Sequence, residues 1–96
     1  MMMTKQEFLT SSGLHVQTLE LWLDQKWLLP EESDQGLNFS DRDVARARLI
    51  LDLKNDLRVN DEGVDVILHL MDQLHGLRSV LAQLRDALPE ETARDR

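Results

Sequence analysis

Residues 18–53 read TLELWLDQKWLLPEESDQGLNFSDRDVARARLILDL, and the order of apolar runs and breaks in this stretch sets the expected fold. Val16, Leu19, Leu23 and Trp27 recur at three- and four-residue steps, the period of a helix with one buried face, so a helix is expected from about His15 to Lys26. Pro30 ends that unit. The polar run EESDQG at 31–36 supplies a turn glycine, Gly36, and Leu37 and Phe39 then alternate with Asn38 as a short strand does. Leu28 and Leu29 are the expected partner of that strand, closing a small two-stranded hairpin, or wing. Ser40 follows as an N-cap, and Asp41 and Asp43 lie in a first helical turn, where the helix dipole favours acids. The helix they open is expected to reach about Leu57. Its apolar residues Val44, Ala47, Ile50, Leu51 and Leu57, widened by Leu49 and Leu53, cover more than one face, as in a helix buried on two sides.

Upstream, Thr4 and Glu7 have the spacing of a capping box, Phe8 and Leu9 give an apolar side, and Gly13 breaks a first helix over Thr4 to Ser12. Helix, glycine turn and helix in this order make a helix-turn-helix. Downstream, Asn60 is placed to cap a long fourth helix with Asp61 and Glu62 in its first turn, and Pro89 stops it after Leu88. Ile67, Leu70, Leu74, Leu77, Leu81, Leu84 and Leu88 then alternate by three and four, a heptad seam, while Val64, Leu68 and Met71 add a second stripe in the first half. The first half is expected in the domain core. The second half keeps only the narrow seam, read as a homodimer contact through Leu74, Leu77, Leu81, Leu84 and Leu88. The plain alternative is that it folds back on its own domain. The expected organisation is an all-α chain: a helix-turn-helix domain with its wing at 1–58, a long leucine-rich helix at 59–88, and a charged tail at 89–96.

Ninety-six residues, 42% of them apolar, make one small domain that gains stability by pairing with a copy. The absence of cysteine excludes disulfides and thiolate chemistry and fits a reducing cytoplasm. No N-terminal secretion signal is expected, because Lys5, Gln6 and Glu7 interrupt the apolar start, and no apolar run is long enough for a bilayer. The net charge of -7 opposes binding to phosphate backbones. The mildly basic stretch is residues 41–60, where Arg42, Arg46, Arg48, Lys54 and Arg58 are interleaved with aspartates. No nucleophile with an identifiable base and no phosphate-cradling loop is present, so no enzyme and no cofactor is expected. His15, His69 and His75 are not spaced as metal ligands.

What remains is surface. Glu62, Asp65 and Asp72 fall at helical steps away from the leucine seam and are read as an acidic contact face, against the plainer reading of a solvated one. Glu31 and Glu32, with Asp34, form a second acidic cluster in the wing loop. Trp27 is expected in the core. Trp22, five residues earlier, points to another side of the helix and is a candidate exposed anchor.

Residues 18–53 resemble the core of the MerR-type winged helix-turn-helix, with matches at Thr18, Leu19, Leu28, Leu29, Pro30, Gly36, Asp43, Val44, Arg46, Ile50 and Leu53. The resemblance implies that DNA-binding members carry an Arg and aromatic residues after the Thr-Leu pair and a Tyr-Arg pair after the wing glycine. Here Glu20, Leu21 and Trp22 follow the first, and Leu37 and Asn38 the second. A carboxylate where a phosphate docks is repulsive. The stretch DEGVDVILHLMDQLHGLRSVLAQLR at 61–85 is similar to the CbpM family of chaperone modulators, short MerR-like proteins, most closely at Leu68, Leu70, Met71 and Asp72. That resemblance implies a function: binding and inhibiting the J-domain of the DnaJ-like co-chaperone CbpA, whose basic helical face an acidic protein can occlude. The alternative reading is a MerR-type DNA-binding transcription regulator.

Overall fold

The structure, a computed structural model, describes residues 2–88. Its elements run β1 (Met2–Met3), α1 (Lys5–Ser12), α2 (Val16–Asp24), β2 (Glu31–Ser33), β3 (Gly36–Ser40), α3 (Asp41–Leu51), a π-helical turn (Asp52–Asp56) and α4 (Asp61–Ala87). The chain divides into two compact units, between Asp65 and Val66.

In the first unit α1, α3 and α4 start where capping chemistry says they should, whereas α2 follows His15 with no side-chain cap bond. The Glu7 N–H donates to Thr4 Oγ1 at 3.2 Å and the Thr4 N–H to Glu7 Oε1 at 2.9 Å, which satisfies two donors that a helix start otherwise leaves unpaired. Gly13 ends α1 at φ +75°, with its N–H on the Leu9 carbonyl. Ahead of α3, Asp43 is buried, and its Oδ2 accepts from the Ser40 N–H at 2.9 Å and the Ser40 hydroxyl at 3.2 Å. Asn60 Oδ1 accepts from the Gly63 N–H at 2.8 Å and caps α4. The end of α2 is less usual. The Trp27 N–H bonds the Trp22 carbonyl and the Lys26 N–H the Leu23 carbonyl, a Schellman closure with Lys26 at φ +62° in the place glycine normally takes.

The sheet has three antiparallel strands in the order β1-β3-β2, so the expected two-stranded hairpin is corrected in two respects. The partner of β3 is not Leu28–Leu29 but Glu31–Ser33, with Glu31 opposite Asn38 and Ser33 opposite Gly36. Leu28 is buried in the core instead, and Pro30 has no N–H to give a ladder, so pairing begins one residue later. On the other edge of β3, Met2 and Met3 face Ser40 and Phe39. Packing ties the sheet to α1, since the Phe8 and Phe39 rings stack with centroids 4.4 Å apart. Around them Leu14, Leu19, Trp22, Trp27, Leu28, Ala47, Ile50, Leu53 and Val64 complete the core. A buried side chain of this size contributes about 1.5–3 kcal/mol.

The helix after Ser40 reaches the expected length, but its last turn is a π turn. The Leu57 N–H there bonds the Asp52 carbonyl. The extra residue in this turn rotates the chain beyond it, so Leu57, expected on the apolar face, is 68% exposed. In the second unit, the remainder of α4, Leu68 is buried whereas Met71 of the expected second stripe is exposed. Pro89 and the expected tail at 89–96 lie outside the described residues.

Candidate protein-binding surface

The outer face of α2 is the part of a helix-turn-helix placed to meet a ligand. Leu19 and Trp22 turn inward, leaving Val16 (49% exposed), Gln17, Glu20, Leu21 (51% exposed) and Asp24 outside. No Lys or Arg lies on this face. Lys5 of α1 reaches Glu20 in an ion pair, and the next cation along the chain is Lys26, beyond the helix end. Apart from Lys5, which Glu20 already pairs, the side chains α2 turns outward are acidic, amidic and apolar.

Both tryptophans are buried at 2% exposure, so Trp22 is no exposed anchor. Their rings lie 6.1 Å apart and tilted by 49°. Trp27 is held from several sides. Its indole N–H donates to Asp65 Oδ1 at 3.3 Å, Arg46 Nε donates to its carbonyl, and the Lys54 ammonium sits 5.6 Å above its ring. Lys54 also pairs with Asp61. A buried indole N–H needs an acceptor, and the i+4 step between Asp61 and Asp65 puts both carboxylates on the side of α4 that faces this cluster.

The three acids expected to act together on α4 therefore sit in different surroundings. Glu62, Asp65 and Asp72 are all exposed, but the Asp65 carboxylate already serves Trp27. Glu31 and Glu32 are exposed on β2, an edge strand, and Asp34 on the turn after it. The expected seam residues Leu74, Leu77, Leu81, Leu84 and Leu88 are exposed, between 46% and 58%. Val66 and Val80, which heptad reading by a and d positions passes over, are as exposed as the leucines and flank them. Their signal in the sequence is the seven-residue step that places Val66, Gln73 and Val80 together at g positions.

His69 Nε2 lies 3.3 Å from Gln73 Nε2, and His15 precedes α2 without a side-chain cap bond. Among the described residues no three His, Cys, Asp or Glu side chains group as a metal site would require, and no helix is long and apolar enough to cross a membrane.

No curated protein matches the chain. A family model does, the one described as MerR HTH family regulatory protein, over residues 3–86, which takes in every helix and strand from α1 to all but the last residue of α4. With its helix pair α1 and α2, small antiparallel sheet and further helices, the chain belongs to the MerR helix-turn-helix family of regulatory proteins.

Proposed function

We propose that this chain is a non-enzymatic regulator that acts in the cytoplasm by covering a surface of another protein, and that the surface is the J-domain of a DnaJ-like co-chaperone of the CbpA type. The observation that carries the protein-binding part is the outer face of α2, which presents Asp24, Val16, Leu21 and Glu20, the last already paired with Lys5 of α1, and contributes no Lys or Arg of its own. A duplex docked there meets carboxylates, whereas a basic helix meets complementary charge and exposed apolar side chains. The net charge of -7 steers a basic partner inward from a distance and repels nucleic acid. The choice of a J-domain rests on the likeness of residues 61–85 to the chaperone modulators. In this reading the acids Glu62, Asp72, Glu31 and Glu32 meet the partner's cations, the β2–β3 hairpin is the wing of the fold, and the leucine face of α4 forms a homodimer. Inhibition is occlusion and involves no chemical step.

The test is calorimetric titration of the protein with the isolated J-domain at two salt concentrations. Saturable binding that weakens as salt rises is expected. No heat at either salt sinks the J-domain assignment. Glu62→Lys combined with Glu31→Lys and Glu32→Lys is the follow-up, expected to lower affinity at least tenfold with unchanged circular dichroism. Asp65 is left in place, because reversing it would unseat the Trp27 indole as well as remove a surface charge.

A second reading, a DNA-binding transcription regulator, is favoured by the family match itself. It requires affinity for duplex DNA at low salt that falls steeply as salt is added.

A further inference from the structure

Trp27 sits where α2, α3, the π-helical turn and α4 meet. Its N–H bonds the Trp22 carbonyl at 2.9 Å and closes α2, and its carbonyl accepts from Arg46 Nε of α3. Its ring lies under the Lys54 ammonium of the π-helical turn, and its indole N–H reaches Asp65 at the start of α4. Just before it, Lys26 holds φ +62°, a backbone conformation that persists in a residue with a Cβ only where the surroundings impose it. Lys26 can relax to negative φ only if Trp27 moves, and Arg46, Lys54 and Asp65 hold Trp27 in place. The start of α4 that carries Asp65 belongs to the first unit and is itself fixed. Asp61 pairs with Lys54, and the Gly63 N–H donates to Asn60 Oδ1. A Cβ at Gly63 would lie 2.6 Å from Val59 Cγ1, so the chain packs there as closely as glycine alone allows.

We infer that Asp65 and Trp27 form a latch that holds the strained end of α2, so that the start of α4 positions the docking face on α2. This rests on the reading of that face given above and adds a residue that acts on it through Trp27, without touching the partner. Leu21 and Asp24, half of the exposed face, lie in the turn that the latch closes, where the Leu21 carbonyl accepts from the Gln25 N–H at 2.9 Å. With the latch shut they keep helical register with Val16 and Glu20. With it open Lys26 relaxes, the Trp27–Trp22 bond breaks, and the last turn of α2 unwinds, which takes Leu21 and Asp24 out of register. What Asp65 supplies is an acceptor for a buried indole N–H, and its charge is not needed for that.

Amide hydrogen exchange on the full chain, read by nuclear magnetic resonance, tests the latch without a partner. In Asp65→Leu the amides of Gln25, Lys26 and Trp27 are expected to exchange about tenfold faster, while Phe8 in α1 and Leu19 at the start of α2 keep their rates. Asp65→Asn retains an acceptor oxygen and is expected to exchange as the unmodified chain does. Glycine adopts positive φ without strain, so Lys26→Gly combined with Asp65→Leu is expected to restore slow exchange. Lys26→Gly alone, which leaves the latch intact, is expected to slow the same amides. Unchanged rates in Asp65→Leu, an equal rise at Phe8 and Leu19, or no rescue by glycine would each overturn the latch. Titration with the J-domain then tests the positioning. Asp65→Leu is expected to weaken binding and the added Lys26→Gly to recover it, whereas equal affinity with a loosened α2 end overturns control of the docking face. A J-domain that fails to bind the unmodified chain overturns the functional reading, and with it the control of a docking face, while the exchange rates still decide the latch.

Discussion

At the scale of single residues, two positions carry more than their type suggests. Lys26 sits at φ +62° in the closure of α2, a conformation that costs a residue with a Cβ about 1–2 kcal/mol. Glycine relieves that strain and gives back about 0.5–1 kcal/mol in unfolded-state entropy. Lys26→Gly is therefore expected to raise the stability by about 0.5–1 kcal/mol, read as a higher urea midpoint with unchanged slope. A lower midpoint would mean that the lysine side chain makes a contact worth more than the strain. Asp65 is the second position. By its spacing it belongs with Glu62 on a solvent-facing helix turn, yet its carboxylate is the acceptor for a buried indole N–H. Nothing in the helical period distinguishes an acid that meets solvent from one that meets a tryptophan 38 residues away.

At the scale of elements, capping chemistry located the helix starts well. Thr4 with Glu7, Ser40 with Asp43, and Asn60 act through bonds local to the sequence, so their signatures are local too. The partner of β3 was not local in this sense. Leu28 and Leu29 look like a strand by apolarity, but Leu28 goes to the core and the exposed, charged Glu31–Ser33 takes the ladder. Edge strands are commonly charged, since charge deters pairing with other chains. On α4 the seam makes its own prediction. Leu77→Lys with Leu84→Lys places charges in the middle of the exposed stripe, and sedimentation is expected to show monomer where the unmodified chain shows dimer, with the far-ultraviolet helix signal retained at high concentration. Unchanged sedimentation would mean that this face does not mediate assembly.

For the whole molecule the deciding property is the sign and placement of charge. A helix-turn-helix that reads DNA supplies cations where phosphates pass. Here α2 turns Glu20 and Asp24 outward, and the arginines of residues 41–60 are divided, with Arg46 committed to the Trp27 carbonyl. Duplex DNA of any sequence is expected to show no saturable shift below about 10 μM protein even at low salt, against the roughly 10⁻⁴–10⁻⁶ M range of ordinary non-specific binding at physiological salt. A salt-sensitive complex at submicromolar protein would restore the DNA-binding reading.

By itself the sequence determined the features that depend on neighbours along the chain: helix starts and their caps, the glycine that ends α1, the heptad step of α4, and an acidic charge balance. The family also comes from it, through the turn and core positions between Thr18 and Leu53 and the match over residues 3–86. Only the tertiary structure decided which of two apolar residues is buried when both obey the period. Trp22 and Trp27 share a helix end and both go inside, while Leu57 falls outside because one π turn rotates it away. It also decided that Asp65 anchors a tryptophan, that Met2 and Met3 complete a sheet with residues almost forty positions on, and that Val66 and Val80 widen the exposed stripe. The physical reason is common to all of these. Periodicity states that a residue has an apolar or polar side, but the partner of that side comes from a distant part of the chain, and only folding chooses it.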